Sequence, residues 1–379
     1  MKKTTTKSAG LLLSAASLSL ATLATPRLAH ALEYDGDYLS GPYMATTQVG
    51  TPYTLTHNIT DPSTTHRISG NNSPYPDLYS GGFNIDLFAT VAFPSHLFVA
   101  DYSTSCGTLT IESGSQLTTQ FTTIGNQWGS QGHVTVKDPG SKWINHDSLY
   151  LGEETNGTPP PGSGNPNGAS GLIKIGGGGE LHSYSNIYIG ENGNGHISVA
   201  EDGLLTFGSS SSSATIFVGS NSNHGLGTLR VSGSGRVQED LSGGDNSVYF
   251  TEKATFRVTL SEGRANSTDA FVSASNFNIY QGSKLEVDAD GITFNEGDGF
   301  ILFSAGNILW TEGGGVPFAP DAISVYNNDQ NFTLELRNSG LDLVLVAGAP
   351  IPEPSTYALI GGAGVLGLAV LCRRRSRKA

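Results

Sequence analysis

The residues able to do chemistry are few and scattered. Asp288 with Asp290, and Glu296 with Asp298, are the nearest carboxylate groupings, and Arg230 and Arg236 are basic residues close to the clearest part of the chain pattern. A polysaccharide lyase would need such parts: clustered carboxylates for Ca²⁺ and a basic group to take a proton. Gly291, Gly297 and Gly299 lie among these carboxylates, which makes ordinary acidic turns the simpler expectation, with no resident cofactor and at most loose Ca²⁺ binding. His133 and His196 fall at equivalent places just after a glycine, but the unit between them carries Leu172 there, so no metal site is expected. Cys106 has no base to activate it and reads as a small buried residue. There is no G-x-S-x-G, H-E-x-x-H, P-loop or C-x-x-C. The expectation is a protein that is not an enzyme.

Aromatic residues are the other candidates. Trp128, Trp143, Tyr150, Tyr184 and Tyr188 recur among short apolar pieces, and exposed rings of this kind stack on sugar faces. Tyr150 sits between Leu149 and Leu151, and Tyr188 between Ile187 and Ile189. In a strand, each ring then points away from its apolar neighbours, which predicts an outward ladder with Tyr150 and Tyr188 as sugar-stacking candidates.

The elements that position these residues follow from a degenerate repeat. Gly107-Thr-Leu-Thr-Ile111, Gly132-His-Val-Thr-Val136, Gly171-Leu-Ile-Lys-Ile175, Gly195-His-Ile-Ser-Val199 and Gly227-Thr-Leu-Arg-Val231 share one alternating pattern. Their opening glycines are 25, 39, 24 and 32 residues apart, the longest gap holding the Pro/Gly/Asn-rich stretch 155–170. Each unit contains three short strands and three turns. None could bury its own apolar side, whereas stacked units share one core. The predicted fold is all-β, a right-handed parallel β-helix. Leu109, Ile111, Val134, Val136, Ile197 and Val199 would point inward, with glycines at the corners supplying positive φ. An irregular cap is expected over 32–106, clear repeats over 107–240, and an irregular continuation and closure over 241–346. These units resemble the autotransporter-type and PEP-CTERM-associated β-strand repeats of bacterial surface proteins. That resemblance implies a parallel β-helix outside the cell.

Composition agrees. Glycine takes 50 of 379 positions, against a usual share of about 7 %, without a three-residue period. The formal net charge is −13. Residues 32–350 hold 11 Lys or Arg against 32 Asp or Glu, a net −21. This argues against nucleic acid, anionic lipid or acidic polysaccharide as nonspecific partners.

Both ends read as processing signals. Lys2, Lys3 and Lys7, an apolar run over 11–23, and Ala29-His30-Ala31 form a secretory signal peptide, with signal peptidase cutting after Ala31. At the other end a linker over 347–356 carries Pro352-Glu353-Pro354. An apolar stretch over 357–372 follows, expected to be a transmembrane helix, and then a basic tail over 373–379. This order resembles the PEP-CTERM sorting signal. The resemblance implies recognition by an exosortase-like membrane enzyme, transient tail-anchoring and delivery to the surface, often with exopolysaccharide. The expected role is a structural protein of the cell surface or extracellular matrix. The alternatives are an adhesin or carbohydrate-binding protein, and a β-helical polysaccharide lyase or hydrolase.

Overall fold

The computed structural model describes residues 53–350 apart from 56–65, 69–82, 88–89, 101–105, 154–167, 210–211, 221–224, 241–243, 290–291, 293, 312–317, 319–322 and 327–329. All of it belongs to the unit Ala31–Ala379.

Among the described residues the fold is all-β, built from two large, mainly parallel sheets. The ten-stranded sheet takes β1 (Tyr53–Leu55), β3 (Phe83–Leu87), β5 (Cys106–Ile111), β7 (Gln131–Lys137), β10 (Ser170–Gly176), β13 (Asn194–Val199), β16 (Leu226–Ser232), β19 (Ala254–Thr259), β21 (Lys284–Asp288) and β23 (Ile323–Tyr326), in that order. The other sheet has fifteen strands and divides into two stacks. One contains β8 (Lys142–Asn145), β11 (Glu180–Ser183), β14 (Leu204–Phe207) and β17 (Arg236–Glu239); the other contains β9 (Leu149–Leu151), β12 (Ile187–Ile189), β15 (Thr215–Val218) and β18 (Ser247–Phe250). Long strands join the two. β6 (Gln116–Ile124) pairs β8 with its first half and β9 with its second, and β20 (Val272–Ile279) does the same with β17 and β18. Each unit of the repeat thus places one strand in each of three stacks.

The register follows the glycines. Gly107, Gly132, Gly171, Gly195 and Gly227 are successive partners in the first stack. The alternation then sends every second side chain inward. Leu109, Val134, Ile173, Ile197 and Leu229 form one buried row, and Ile111, Val136, Ile175, Val199 and Val231 the next. Leu117, Trp143, Leu181, Leu205 and Val237 line the second stack. Leu149, Ile187, Ile216 and Val248 line the third. Each such side chain contributes about 1.5–3 kcal/mol by leaving water, so the core is one continuous column.

Glycines at the corners do supply positive φ, as expected, but the glycines that open the strands are not among them. Gly195 is needed for space: a Cβ there would lie 2.1 Å from the Gly190 backbone nitrogen. Positive φ belongs instead to the glycines closing the third strand of each unit, Gly125, Gly152, Gly190 and Gly219, at 71°, 67°, 77° and 76°. Cys106, expected as a small buried residue, is not in the core. It is half-buried on the outward side of β5, opposite Gln131, and burial raises its thiol pKa.

The parallel stacks begin earlier than the sequence pattern indicates. β3 pairs β5 in the same glycine register, Phe83 opposite Gly107, and β4 (Thr90–Val99) pairs β6 and the short β2 (His66–Ile68). At the other end the pattern changes. β22 (Gly299–Thr311) pairs β20 in parallel, but β25 (Asp342–Pro350) lies antiparallel between β22 and β24 (Gln330–Arg337).

Candidate functional site

The outward face of the third stack carries a ladder of rings. Tyr150 and Tyr188 are register partners, each half-buried between two buried neighbours. Their rings stack at 4.5 Å between centroids and 7° between planes. The ladder is longer than those two positions. Tyr188 stacks on Phe217 at 5.0 Å and 8°, Phe217 meets Tyr249 at 5.3 Å, and Tyr249 meets Tyr280 at 6.5 Å. In the other direction Tyr150 meets Phe121 at 5.3 Å, and Phe121 meets the edge of His96 at 4.6 Å. The signal for Phe217 and Tyr249 was present, since both occupy the same apolar–aromatic–apolar position in their strands. Near-parallel planes at this spacing mean that the central rings cover each other's faces. Edges and hydroxyls remain outward, and Tyr188 Oη accepts a hydrogen bond from Asn186 Nδ2 at 3.1 Å.

The corner beside the ladder is acidic and poorly solvated. Burial, with the nearby Tyr188, Glu191 and Glu153, pushes the Tyr150 phenol up to about 12. Burial also raises Glu153 and Glu191; Glu153 Oε2 accepts from Thr123 Oγ1 at 3.1 Å. Tyr150 is therefore a neutral hydroxyl at any physiological pH.

The other aromatic candidates separate. Trp143, expected among exposed rings, is fully buried. Its place opposite Leu117 and Leu181 puts it in the core row. Its indole Nε1 donates to Thr119 Oγ1 at 2.9 Å, and Thr119 donates onward to Asn145 Oδ1 at 2.9 Å, so the buried polar groups satisfy one another. Trp128 is half-buried. Tyr184 stacks on His146 at 5.0 Å and meets the edge of His182 at 4.3 Å.

His182 begins a polar row, His182–Thr206–Gln238–Ser273, along the second stack. With Glu239 and Asp240 this row lines a groove of about 350 Å³. His182 Nδ1 lies 2.5 Å from Thr206 Oγ1, its Nε2 is buried without a partner, and burial lowers its pKa.

The first stack carries a different face. The row Thr108–His133–Leu172–His196–Thr228 forms as the sequence register required, with Leu172 between the two histidines. No group of three or more potential metal ligands occurs among the described residues. Two positions further along the strands, Lys174, Ser198, Arg230 and Arg257 are successive partners. His133, Leu172, Lys174, His196, Leu226 and Thr228 are among the residues lining a groove of about 470 Å³. Burial, then Arg230, Arg257 and Lys174, push His196 down to about 4, and burial with Lys174 lowers His133.

Among the described residues no ion pair joins Glu296 or Asp298 to a basic group. Asp298 closes its own turn, accepting from the Asn295 backbone and from Asn266 Nδ2, both at 2.8 Å. Arg236 pairs with Asp269 at 3.5 Å. Asp290 lies outside the described residues, as do the signal residues Ala29 and Ala31 and the sorting residues Pro352, Glu353 and Pro354. The expectation of a transmembrane helix is withdrawn. No helix among the described residues is long and apolar enough to cross a membrane, and 357–372 lies outside them.

Comparison with known proteins bears on the tail alone. A family model described as the PEP-CTERM protein-sorting motif matches residues 350–375. No curated protein and no solved structure matches the chain. The motif supports exosortase-type C-terminal sorting toward the cell surface or extracellular space.

Proposed function

We propose that this chain is a structural protein of the cell surface or extracellular matrix. It is exported with the help of signal peptidase and sorted by an exosortase-like enzyme acting near Pro352-Glu353-Pro354. Its body is read as a right-handed parallel β-helix, because three parallel stacks are fed in rotation by successive strands and crossovers between parallel strands strongly favour the right hand. The observation that supports a structural role is the use of the side chains. The inward rows are sealed against each other, and the rings of the outward ladder are stacked on one another. Tyr150 and Tyr188 are then part of the body's cohesion rather than a platform for sugar. The reading is of a passive protein without catalysis. A binding role, with exopolysaccharide as the partner, draws support from the groove on the first stack rather than from the ladder.

The sorting step is tested by fractionating cells that produce the wild type or a variant with Pro352, Glu353 and Pro354 replaced by alanine. The wild type is expected at the surface or in the medium without its tail, and the variant retained at full length. Identical accumulation of both, tails intact, overturns the reading.

A further inference from the structure

The body is strongly acidic, yet its acids avoid one face. Five consecutive strands of the first stack, β7, β10, β13, β16 and β19, contain no Asp or Glu but carry Lys137, Lys174, Arg230 and Arg257, with His133 and His196. Most of the described cations are committed, Lys137 and Arg257 of this face among them. Lys137 pairs with Glu112, Lys142 with Glu180, Arg236 with Asp269, Arg257 with Glu286 and Arg337 with Glu335. Arg264 lies over the Phe271 ring and donates to the carbonyls of Gly235 and Ala270. Among the described residues Lys174 and Arg230 form no ion pair, nor does Lys284 at the far end of the same face. Arg230 donates one bond, from Nη2 to Thr259 Oγ1 at 3.2 Å, and its buried Nε has no partner. Lys174 and Arg230 thus stay without a carboxylate partner in a protein with a threefold excess of carboxylates, and a bound anion would supply that partner.

The strip also has apolar ground. Leu226 is 54 % exposed, a rare state among the large apolar side chains described, and it lines the groove with half-buried Leu172. A ligand that meets cations and leucines together is charged at intervals and apolar between them. Lys174 and Arg230 are separated by two strand steps, about 10 Å along the stack.

We propose that the outward face of β7, β10, β13, β16 and β19 binds an acidic polysaccharide, a linear chain of carboxylate-bearing sugars lying across the strands. Lys174 and Arg230 hold its carboxylates, and Leu172 and Leu226 meet its ring faces. Neutral His196 offers a hydrogen bond within the groove, and His133 stands exposed at its side. The wider negative charge of the body opposes nonspecific binding of nucleic acid and acidic polysaccharide alike, so the proposal rests on the local strip of cations and leucines. The setting outside the cell rests on the sorting reading, but binding itself is measured on the purified chain and does not depend on it.

The test is calorimetric titration of the purified full chain with polygalacturonate oligomers, using neutral galactan oligomers as control. Polygalacturonate is expected to bind and to weaken steadily as salt rises, while galactan binds at least tenfold more weakly. Lys174→Glu/Arg230→Glu should lose at least tenfold in affinity, Lys174→Gln/Arg230→Gln less, and Lys142→Gln on the second stack nothing. Circular dichroism confirms that the variants are folded, and the milder pair stands in if the charge reversals are not. Absence of binding, equal binding of galactan, or unchanged affinity in both double variants overturns the proposal. So does tighter binding of single-stranded DNA of equal charge. Self-association of the wild type that the double variants abolish, without polygalacturonate binding, would identify a second copy as the occupant and equally overturn it.

Discussion

Gly190 and Gly195 sit five residues apart and meet different demands. Gly190 turns the chain at φ 77°, and a Cβ on it would also strike the Leu226 carbonyl at 2.1 Å. Gly195 has no unusual φ; it lets one strand begin against the backbone that ends another. Gly195→Ala should destabilise by about 1–3 kcal/mol, the usual cost of forcing atoms into a packed interior, as read by chemical denaturation. A comparable substitution at Gly233, where a Cβ meets nothing within 4 Å but φ is 57°, tests the conformational cost alone.

His196 gives a pH prediction. Its folded pKa is near 4 against an ordinary 6.5, so the unfolded chain takes up a proton that the folded chain refuses. Its contribution is fully present above about pH 6.5 and is lost as pH falls toward 4. Glu153 and Glu191 act in the opposite sense. Their raised pKa values give a contribution present below the ordinary value of 4.5 and lost as pH rises through the folded one. The His196 part is isolated by comparing wild type with His196→Gln by denaturation from pH 4 to 7. The variant's stability should fall less on the acid side, and equal slopes would remove histidine from the explanation.

At the scale of elements, the ring ladder works as a second seam outside the core. Aromatic pairs add about 0.5–1.5 kcal/mol beyond their buried area. Tyr188 has a stacked neighbour on each side, whereas Tyr280 meets Tyr249 only at 6.5 Å. Tyr188→Ala is therefore expected to cost about 1–3 kcal/mol, and Tyr280→Ala distinctly less, measured by the same denaturation. Much of this element pattern was legible in the sequence. The glycine spacings were the register itself, and alternation placed Leu109, Val134 and Ile197 inward. Trp143 departs from the outward expectation because its aromatic type reads as a surface feature, whereas Lys142 beside it sets the phase that turns it inward. The earlier strands were hidden for another reason. β4 skips two residues, Pro94 and Ser95, between its paired halves. Proline has no N–H to give a ladder, so the chain continues the stack while breaking the alternation that reveals it.

Across the whole body, a parallel stack faces the same difficulty at its last strand as any open sheet. Its unpaired backbone groups invite another chain. The antiparallel pair β24 and β25 covers β22 and ends that progression. Deleting residues 330–350 should leave the preceding strands formed but make the protein associate with rising concentration, as seen by sedimentation. A deletion variant that stays monomeric would show that this edge needs no cover. The sequence predicts a closure here without its antiparallel turn, because the alternation of Phe332–Leu336 and Leu341–Val346 is the same whichever way a strand runs.

The direction of β25 matters for force. It ends at Pro350, where the matched tail segment starts. A pull on the tail acts along that strand, while its hydrogen bonds to β22 and β24 run across it. Bonds on both sides then share the load at once instead of opening in sequence. A pull at Pro350 therefore reaches the body through a lap joint.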